Sequence, residues 1–137
     1  MREEDTDMAD KLTDAARALI DAPNFATMAT IQPDGRPQLS VVWLKTDGDD
    51  VLVSTVKGRR KHLNIVADPR VTLLVYPASD PYRYVEVRGT ATLEDAGAPE
   101  LIQELSHRYD GKPFREGNPD NERVIVRIAP DRIVTRG

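Results

Sequence analysis

Val51-Leu52-Val53-Ser54-Thr55-Val56-Lys57-Gly58-Arg59-Arg60-Lys61-His62-Leu63-Asn64 leads from an apolar strand, through two hydroxyls and a glycine, into a cluster of cations and a helix start. The chain carries a formal net charge of −4, yet Lys57, Arg59, Arg60 and Lys61 fall within five residues. The cluster is therefore a local exception on an acidic protein. A strand that turns through glycine into a helix N-terminus gathers free N–H groups and the positive end of the helix dipole. Arginine adds a fixed fork of donors suited to phosphate. The stretch reads as a grip for a phosphorylated ligand, set against the plainer reading of a solvated loop whose cations touch nothing.

Working outward, the same alternation of short strands and tight turns recurs. Upstream, Phe25 to Ile31 reads as a strand and Pro33-Asp34-Gly35-Arg36 as a tight turn. A second strand runs through Leu39, Val41, Val42 and Leu44, and Thr46-Asp47-Gly48-Asp49 is the turn into the quoted strand. Before them, Leu12, Ala15, Ala16, Leu19 and Ile20 follow helical spacing, so residues 8–21 read as an amphipathic helix stopped at Pro23, with residues 1–7 frayed.

Downstream, Leu63, Ile65 and Val66 fit a short helix closed by Asp68-Pro69, and Val71 to Tyr76 a fourth strand. Tyr82 to Leu93 reads as a long fifth strand with Tyr82, Tyr84, Glu86 and Arg88 on one face and Val85 and Val87 on the other. Residues 97–109 follow helical spacing through Leu101, Ile102 and Leu105. After a polar loop from Asp110 to Asn121, Val124, Val126 and Ile128 alternate as a sixth strand, and Ile133 and Val134 suggest a short last one. Six or seven strands with few helices predict a mainly β fold, a closed or partly closed antiparallel barrel filling one domain over 1–137.

Composition excludes several function classes. There is no cysteine, so disulfides, thiolate catalysis and iron–sulfur ligation are absent. His62 and His107 stand apart from each other and from any carboxylate at ligand spacing, which predicts no metal site and no Ser/His/Asp chemistry. The acidic balance argues against nucleic acid as a partner. No apolar run approaches the roughly 18–20 residues that cross a bilayer. The acidic start, with Glu3, Glu4 and Asp5, lacks an apolar signal region, and a cytoplasmic location is expected.

Three further groups have two readings each. Gln38, Ser40, Val42 and Lys45 lie along the second strand, either as the solvent face of an amphipathic strand or as the wall of a site. Trp43 is the only tryptophan, and its default place is a core or a subunit interface. Tyr76, Tyr82 and Tyr84 cluster about one turn, either as an ordinary aromatic patch or as a wall for a planar ligand.

The order of motifs is itself informative. Phe25-Ala26-Thr27-Met28-Ala29-Thr30, Asp34-Gly35-Arg36-Pro37 and Val41-Val42-Trp43 are followed by Thr55 through Lys61 with Asn64, then Asp68-Pro69-Arg70-Val71. Val85 to Ala91, Tyr109 to Phe114 and Arg123 to Pro130 complete the series. This arrangement resembles the flavin/deazaflavin oxidoreductases, the split β-barrel group that includes pyridoxamine-5′-phosphate oxidase-like proteins, over nearly the whole chain. Within that group it is most similar to the small actinobacterial branch that uses coenzyme F420.

The resemblance implies an FMN-binding split β-barrel fold and a homodimer with its sites at the subunit interface. It implies a hydride transfer between the deazaflavin C5 and a small organic substrate. Ser54, Thr55, Lys57, Arg60 and Lys61 would meet the cofactor phosphate, with Asn64 behind them. Ser40, Val42 and Trp43 would lie beside the ring, and Tyr76 and Tyr82 of a partner copy would complete the pocket. No residue is marked as a catalytic acid. FMN users share the barrel and the phosphate segment, so an FMN-dependent oxidase or reductase is the alternative. A non-catalytic protein that carries F420 or FMN is another.

Overall fold

Each strand of this chain has at least one face to bury, and antiparallel pairing lets short turns connect most of them. The computed structural model describes residues 9–137. The expected fraying of 1–7 lies outside the described residues. The elements are α1 (Asp14–Asp21), β1 (Ala26–Ile31), β2 (Pro37–Val42), β3 (Lys45–Asp47) and β4 (Asp50–Val56). They continue as α2 (Arg60–Ala67), β5 (Arg70–Val75), β6 (Val85–Glu94), α3 (Ala98–Asp110) and β7 (Arg123–Thr135). The seven strands form one antiparallel sheet in the order β2-β1-β5-β6-β7-β4-β3. The mainly β expectation therefore holds, and the fold is the split barrel.

Several boundaries differ from the sequence reading, each for a local reason. Helix α1 begins at Asp14, because the Thr13 hydroxyl accepts from Ala16 N at 3.1 Å and caps the first turn. Thr46 and Asp47 belong to β3, leaving only Gly48 and Asp49 to turn. Strand β6 starts at Val85, since the backbone at 77–83 is occupied by turns: Asp80 N donates to Pro77 O, and Tyr82 N to the Asp80 carboxylate. Tyr82 and Tyr84 thus precede the strand.

The two C-terminal strands expected at 124–128 and 133–134 are one strand, β7. A bulge reconciles its register. Arg88 faces Arg132 and Gly89 faces Pro130, so Asp131 is the extra residue. Its carbonyl accepts from Asp10 N and its carboxylate from the Thr90 hydroxyl at 2.8 Å, which holds the bulge.

Alternation also fails in β4 and β7, and this failure positions the site. Val51, Val53, Val126 and Ile128 face the barrel core beside Met28, Leu73 and Val87, with Ala16, Leu19 and Ile20 of α1 closing it. Leu52 and Ile125 point the other way, yet they too are buried, under Ala98, Leu101 and Leu105 of α3. Both strands are covered on both faces, so apolar residues run consecutively through them.

Gly89 is required by this geometry. A Cβ there would lie 2.6 Å from Ala129 O and 2.6 Å from Ile128 Cγ2, in the bulged part of the ladder. Replacing Gly89 by Ala is expected to cost about 1–3 kcal/mol, read as a lowered urea midpoint. Gly117→Ala, which meets nothing within 4 Å, is expected to stay within about 0.5 kcal/mol of the wild type.

Candidate functional site

Helix α3 packs on the outer face of β4 and β7 over Leu52 and Ile125. Two residues further along each strand, the same face presents Ser54 and Arg123, with Ser54 opposite Ile125 and Val56 opposite Arg123. There, along the flank of the helix, a cleft of about 360 Å³ opens. Its apolar wall is Ile102 and Leu105 of α3, with Val41, Val42 and Trp43 from the end of β2. Arg59, Lys61 and Arg123 bring three cations to it, and Phe114 closes another side.

The aromatic wall is anchored. The Trp43 ring stacks on Tyr109 at 5.3 Å between centroids and 13° between planes. The Tyr109 hydroxyl donates to Asn24 O at 2.7 Å and accepts from Leu44 N at 3.2 Å. Burial pushes that phenol above the ordinary tyrosine range. Trp43 therefore combines a packing role against α3 with a face on the cleft.

The cations differ in their freedom. Lys57 Nζ sits 2.8 Å from Asp95 and 3.5 Å from Glu122. Its hydrogen bond to Asp95 holds the ammonium above the usual lysine value. Lys57 is thus tied to two carboxylates and does not line the cleft. Lys61 has no carboxylate partner among the described residues. Burial, and then the charges of Arg59 and Arg123, push its pKa down. A cation so placed gains when an anion arrives. Arg123 is paired, through a fork of two 2.9 Å bonds to Glu116, and its guanidinium lies 4.7 Å over the Phe114 ring.

The turn before α2 is also fixed. Gly58 has φ +92°, a left-handed conformation that favours glycine, and its N–H donates to His62 Nδ1 at 3.0 Å.

Of the residues named from the sequence, the cleft gathers Val42, Trp43, Ser54 and Lys61. Arg60 is exposed on the first turn of α2 and is not among the lining residues. Thr55 faces the interior and is 1% exposed. Asn64 is equally buried and donates to the Thr30 hydroxyl at 3.1 Å, which donates in turn to Gln38 at 2.8 Å, so it ties α2 to β1. Ser40 stands opposite Met28 on β2. Tyr76 and Tyr82 line a different hollow, of about 570 Å³, with Leu74, Tyr84 and Val134.

The buried side-chain polar atoms without a partner among the described residues are Ser40 Oγ, Ser54 Oγ, Thr55 Oγ1 and Asn64 Oδ1. All four belong to residues that the sequence singled out, and only Ser54 opens on the cleft. A buried hydroxyl left unpaired costs about 1–3 kcal/mol, which a ligand oxygen can relieve.

The sequence reading passes over Val41, Arg59, Ile102, Leu105, Phe114 and Arg123 as cleft residues. Arg59 was within reach, being part of the basic cluster. Arg123 and Phe114 had no local signal, because strand register and the 111–122 loop bring them in.

Glu116 lies on that loop, and the Arg123 fork lowers its pKa from 4.5 to about 2. A carboxylate depressed in the folded state stabilises it above its unfolded pKa, and that contribution is lost as pH falls through the folded value. The Glu116–Arg123 pair is thus fully effective above about pH 5 and fades toward pH 2. Glu116→Gln is expected to lower neutral-pH stability by on the order of 2 kcal/mol after allowing for solvent screening, and to flatten the urea stability curve between those limits.

The pyridoxamine 5′-phosphate oxidase family model matches residues 12–137. A pyridoxine/pyridoxamine 5′-phosphate oxidase of Rubrobacter xylanophilus is 43% identical over 79 residues, which are 57% of this chain and 36% of that protein. The chain spans about a third of the length of the curated relatives it matches. Among solved structures, an F420 reductase superposes with a TM-score of 0.79 at 31% identity, over 90% of this chain and 98% of the other. A conserved hypothetical protein of Mycobacterium tuberculosis gives 0.70 at 26% identity, over 94% and 88% of the two chains. With its split barrel and a cleft at the end of β4, the chain belongs to the pyridoxamine 5′-phosphate oxidase family of oxidoreductases.

Proposed function

We propose that the cleft holds coenzyme F420 and that the protein is an F420-dependent reductase of a small organic substrate. The observation that carries this reading is Lys61: a half-buried cation with no carboxylate partner among the described residues, in a cleft that Trp43 also lines. The donor set fits a planar cofactor with a phosphate. Lys61 and Arg59 supply charge, Ser54 supplies an unpaired hydroxyl, and Trp43, Val42 and Leu105 supply an apolar wall. The likeness to the F420 reductase over nearly its full length favours the deazaflavin. When bound, F420 supplies hydride chemistry at its C5. This chain's residues bind the phosphate, orient the ring and exclude water from it.

A second reading places FMN in the same cleft, and the Rubrobacter oxidase match favours it. Fluorescence titration of the purified protein with F420 and with FMN separates the two. F420 is expected to bind in the micromolar range or tighter, and tight FMN binding without F420 binding would overturn the cofactor choice. Lys61→Ala is expected to weaken binding of the cofactor by about tenfold or more. Lys57→Ala, whose ammonium is held by Asp95 and Glu122, is expected to change it less than about threefold.

The proposal includes a homodimer. On the face of the sheet turned away from the barrel core, Val41, Thr27, Leu74, Glu86 and Val134 lie in register across five strands. Val41 is 69% exposed, Leu39 beside it 62%, and Leu74 and Val134 remain exposed as well. The exposed apolar side chains on this face, Leu39, Val41, Leu74 and Val134, interrupted by Thr27 and Glu86, are of the kind a partner subunit covers. Val41 belongs both to this row and to the cleft, and Leu74 and Val134 also border the tyrosine hollow. A second copy on the row would bring its own Tyr76 or Tyr82 toward the cleft mouth. Val41→Glu combined with Leu74→Glu is expected to convert dimer to monomer in sedimentation velocity at micromolar concentration. A variant that sediments as a dimer would place the interface elsewhere.

A further inference from the structure

The Arg123 side chain is only 10% exposed, and it opens on the cleft with its charge already matched by Glu116. The way it is matched leaves donors over. Glu116 takes Nε–H and one N–H of Nη2, the side edge of the guanidinium, at 2.9 Å each. Of the five N–H groups of an arginine, the two on Nη1 and the second on Nη2 remain, and the latter forms the end-on fork with one of the two on Nη1. No other acceptor for them is present among the described residues. The Phe114 ring fixes the plane from one side.

The groups that hold this arrangement are themselves held. Glu116 Oε1 also accepts from Asn121 Nδ2 at 2.8 Å. The Gln103 side chain clasps Phe114 reciprocally: its Nε2 donates to Phe114 O and its Oε1 accepts from Phe114 N, both at 3.0 Å. Ser106 Oγ donates to Lys112 O at 2.7 Å. Two residues of α3 thus fasten the 111–122 loop, and the loop delivers both Phe114 and Glu116 to Arg123.

We propose that Glu116 is a positioning residue: it engages the side edge of Arg123 so that the end-on N–H pair serves the anionic group of the ligand in the cleft. This rests on the reading that the cleft is an anion site, and not on which cofactor fills it. The opposite role for a carboxylate in a cationic cleft is to compete with the anion and weaken its binding. The two roles differ in sign.

The test is a double-mutant cycle on the full chain at neutral pH, with F420, FMN and inorganic pyrophosphate titrated separately. Arg123→Ala is expected to weaken every probe that binds the wild type by about tenfold or more. Glu116→Gln is expected to weaken it about fivefold while Arg123 is present. In the Arg123→Ala background the same change is expected to have no effect or to tighten binding, since only repulsion is then removed. A merely structural role for Glu116 would weaken both backgrounds alike, and a competing role would tighten both; either result overturns the proposal. Thermal melts show which variants are folded. Glu116→Asp, which keeps the charge but withdraws it, is expected to lose affinity as Glu116→Gln does, and full retention there also overturns the proposal. If neither F420 nor FMN binds while pyrophosphate shows the sign reversal, the cofactor reading fails and the positioning role stands. Wild-type protein that binds none of the three overturns both.

Discussion

The seating of α3 on Leu52 and Ile125 is the contact on which the rest of the molecule turns. It makes β4 and β7 two-sided, with one face in the barrel core and the other under a helix. Ser54 and Arg123 follow at the next positions of the same face, and the cleft lies there, beside Ile102 and Leu105 in the middle of α3. The same helix supplies Tyr109 to back Trp43, and Gln103 and Ser106 to fasten the 111–122 loop. One packing event therefore positions the aromatic wall, the apolar wall and the loop.

Charge is distributed around the cleft with a similar economy. Four cations lie close together in the sequence, but the strand-to-helix turn sends them to different surroundings. Lys57, at the strand end, meets Asp95 and Glu122, while Lys61, the second residue of α2, enters the cleft. Half-buried there, Lys61 feels the charges of Arg59 and Arg123. Ions of like sign brought together at partial burial raise the free energy of the unliganded protein, and an anion lowers it again. Glu116 offsets part of that cost, which lets Arg123 stay nearly buried while it remains charged.

The fold was largely legible from strand alternation and turn chemistry, because those are local signals. β1, β4 and β5, with the short helix α2 and the long helix α3, stand where alternation and helical spacing put them, while β2 stops at Val42, so that Leu44 lies beyond it and Lys45 opens β3. The misplacements have physical causes. The alternation Tyr82-Arg83-Tyr84 looks like strand, but Asp80 and Pro81 commit the backbone to turns before Val85. Pro130 looks like a strand end, but a bulge at Asp131 absorbs it. In the site, Ser54 and Lys61 were legible because a strand end and local charge announce them, while Val42 and Trp43 followed from the family resemblance alone. Arg123, Phe114 and Ile102 were not, since only register and tertiary packing bring them to β4.

The outer row of the sheet extends the same logic to assembly. Val41, Leu74 and Val134 are the kind of residue that β4 and the first half of β7 bury under α3, yet on the row from β2 through β1, β5 and β6 to the end of β7 they remain exposed. Exposed apolar side chains are stabilised by a cover, and among the described residues α3 covers β4 and β7 and not this row. The proposed second copy would do for β2 and β5 what α3 does for β4 and β7. Val41 lies where that interface meets the cleft, so covering the row and completing the cofactor site would be a single event. A ligand that bridges the two surfaces would then tighten the dimer by the same factor by which dimerisation tightens its binding, because the two equilibria are linked.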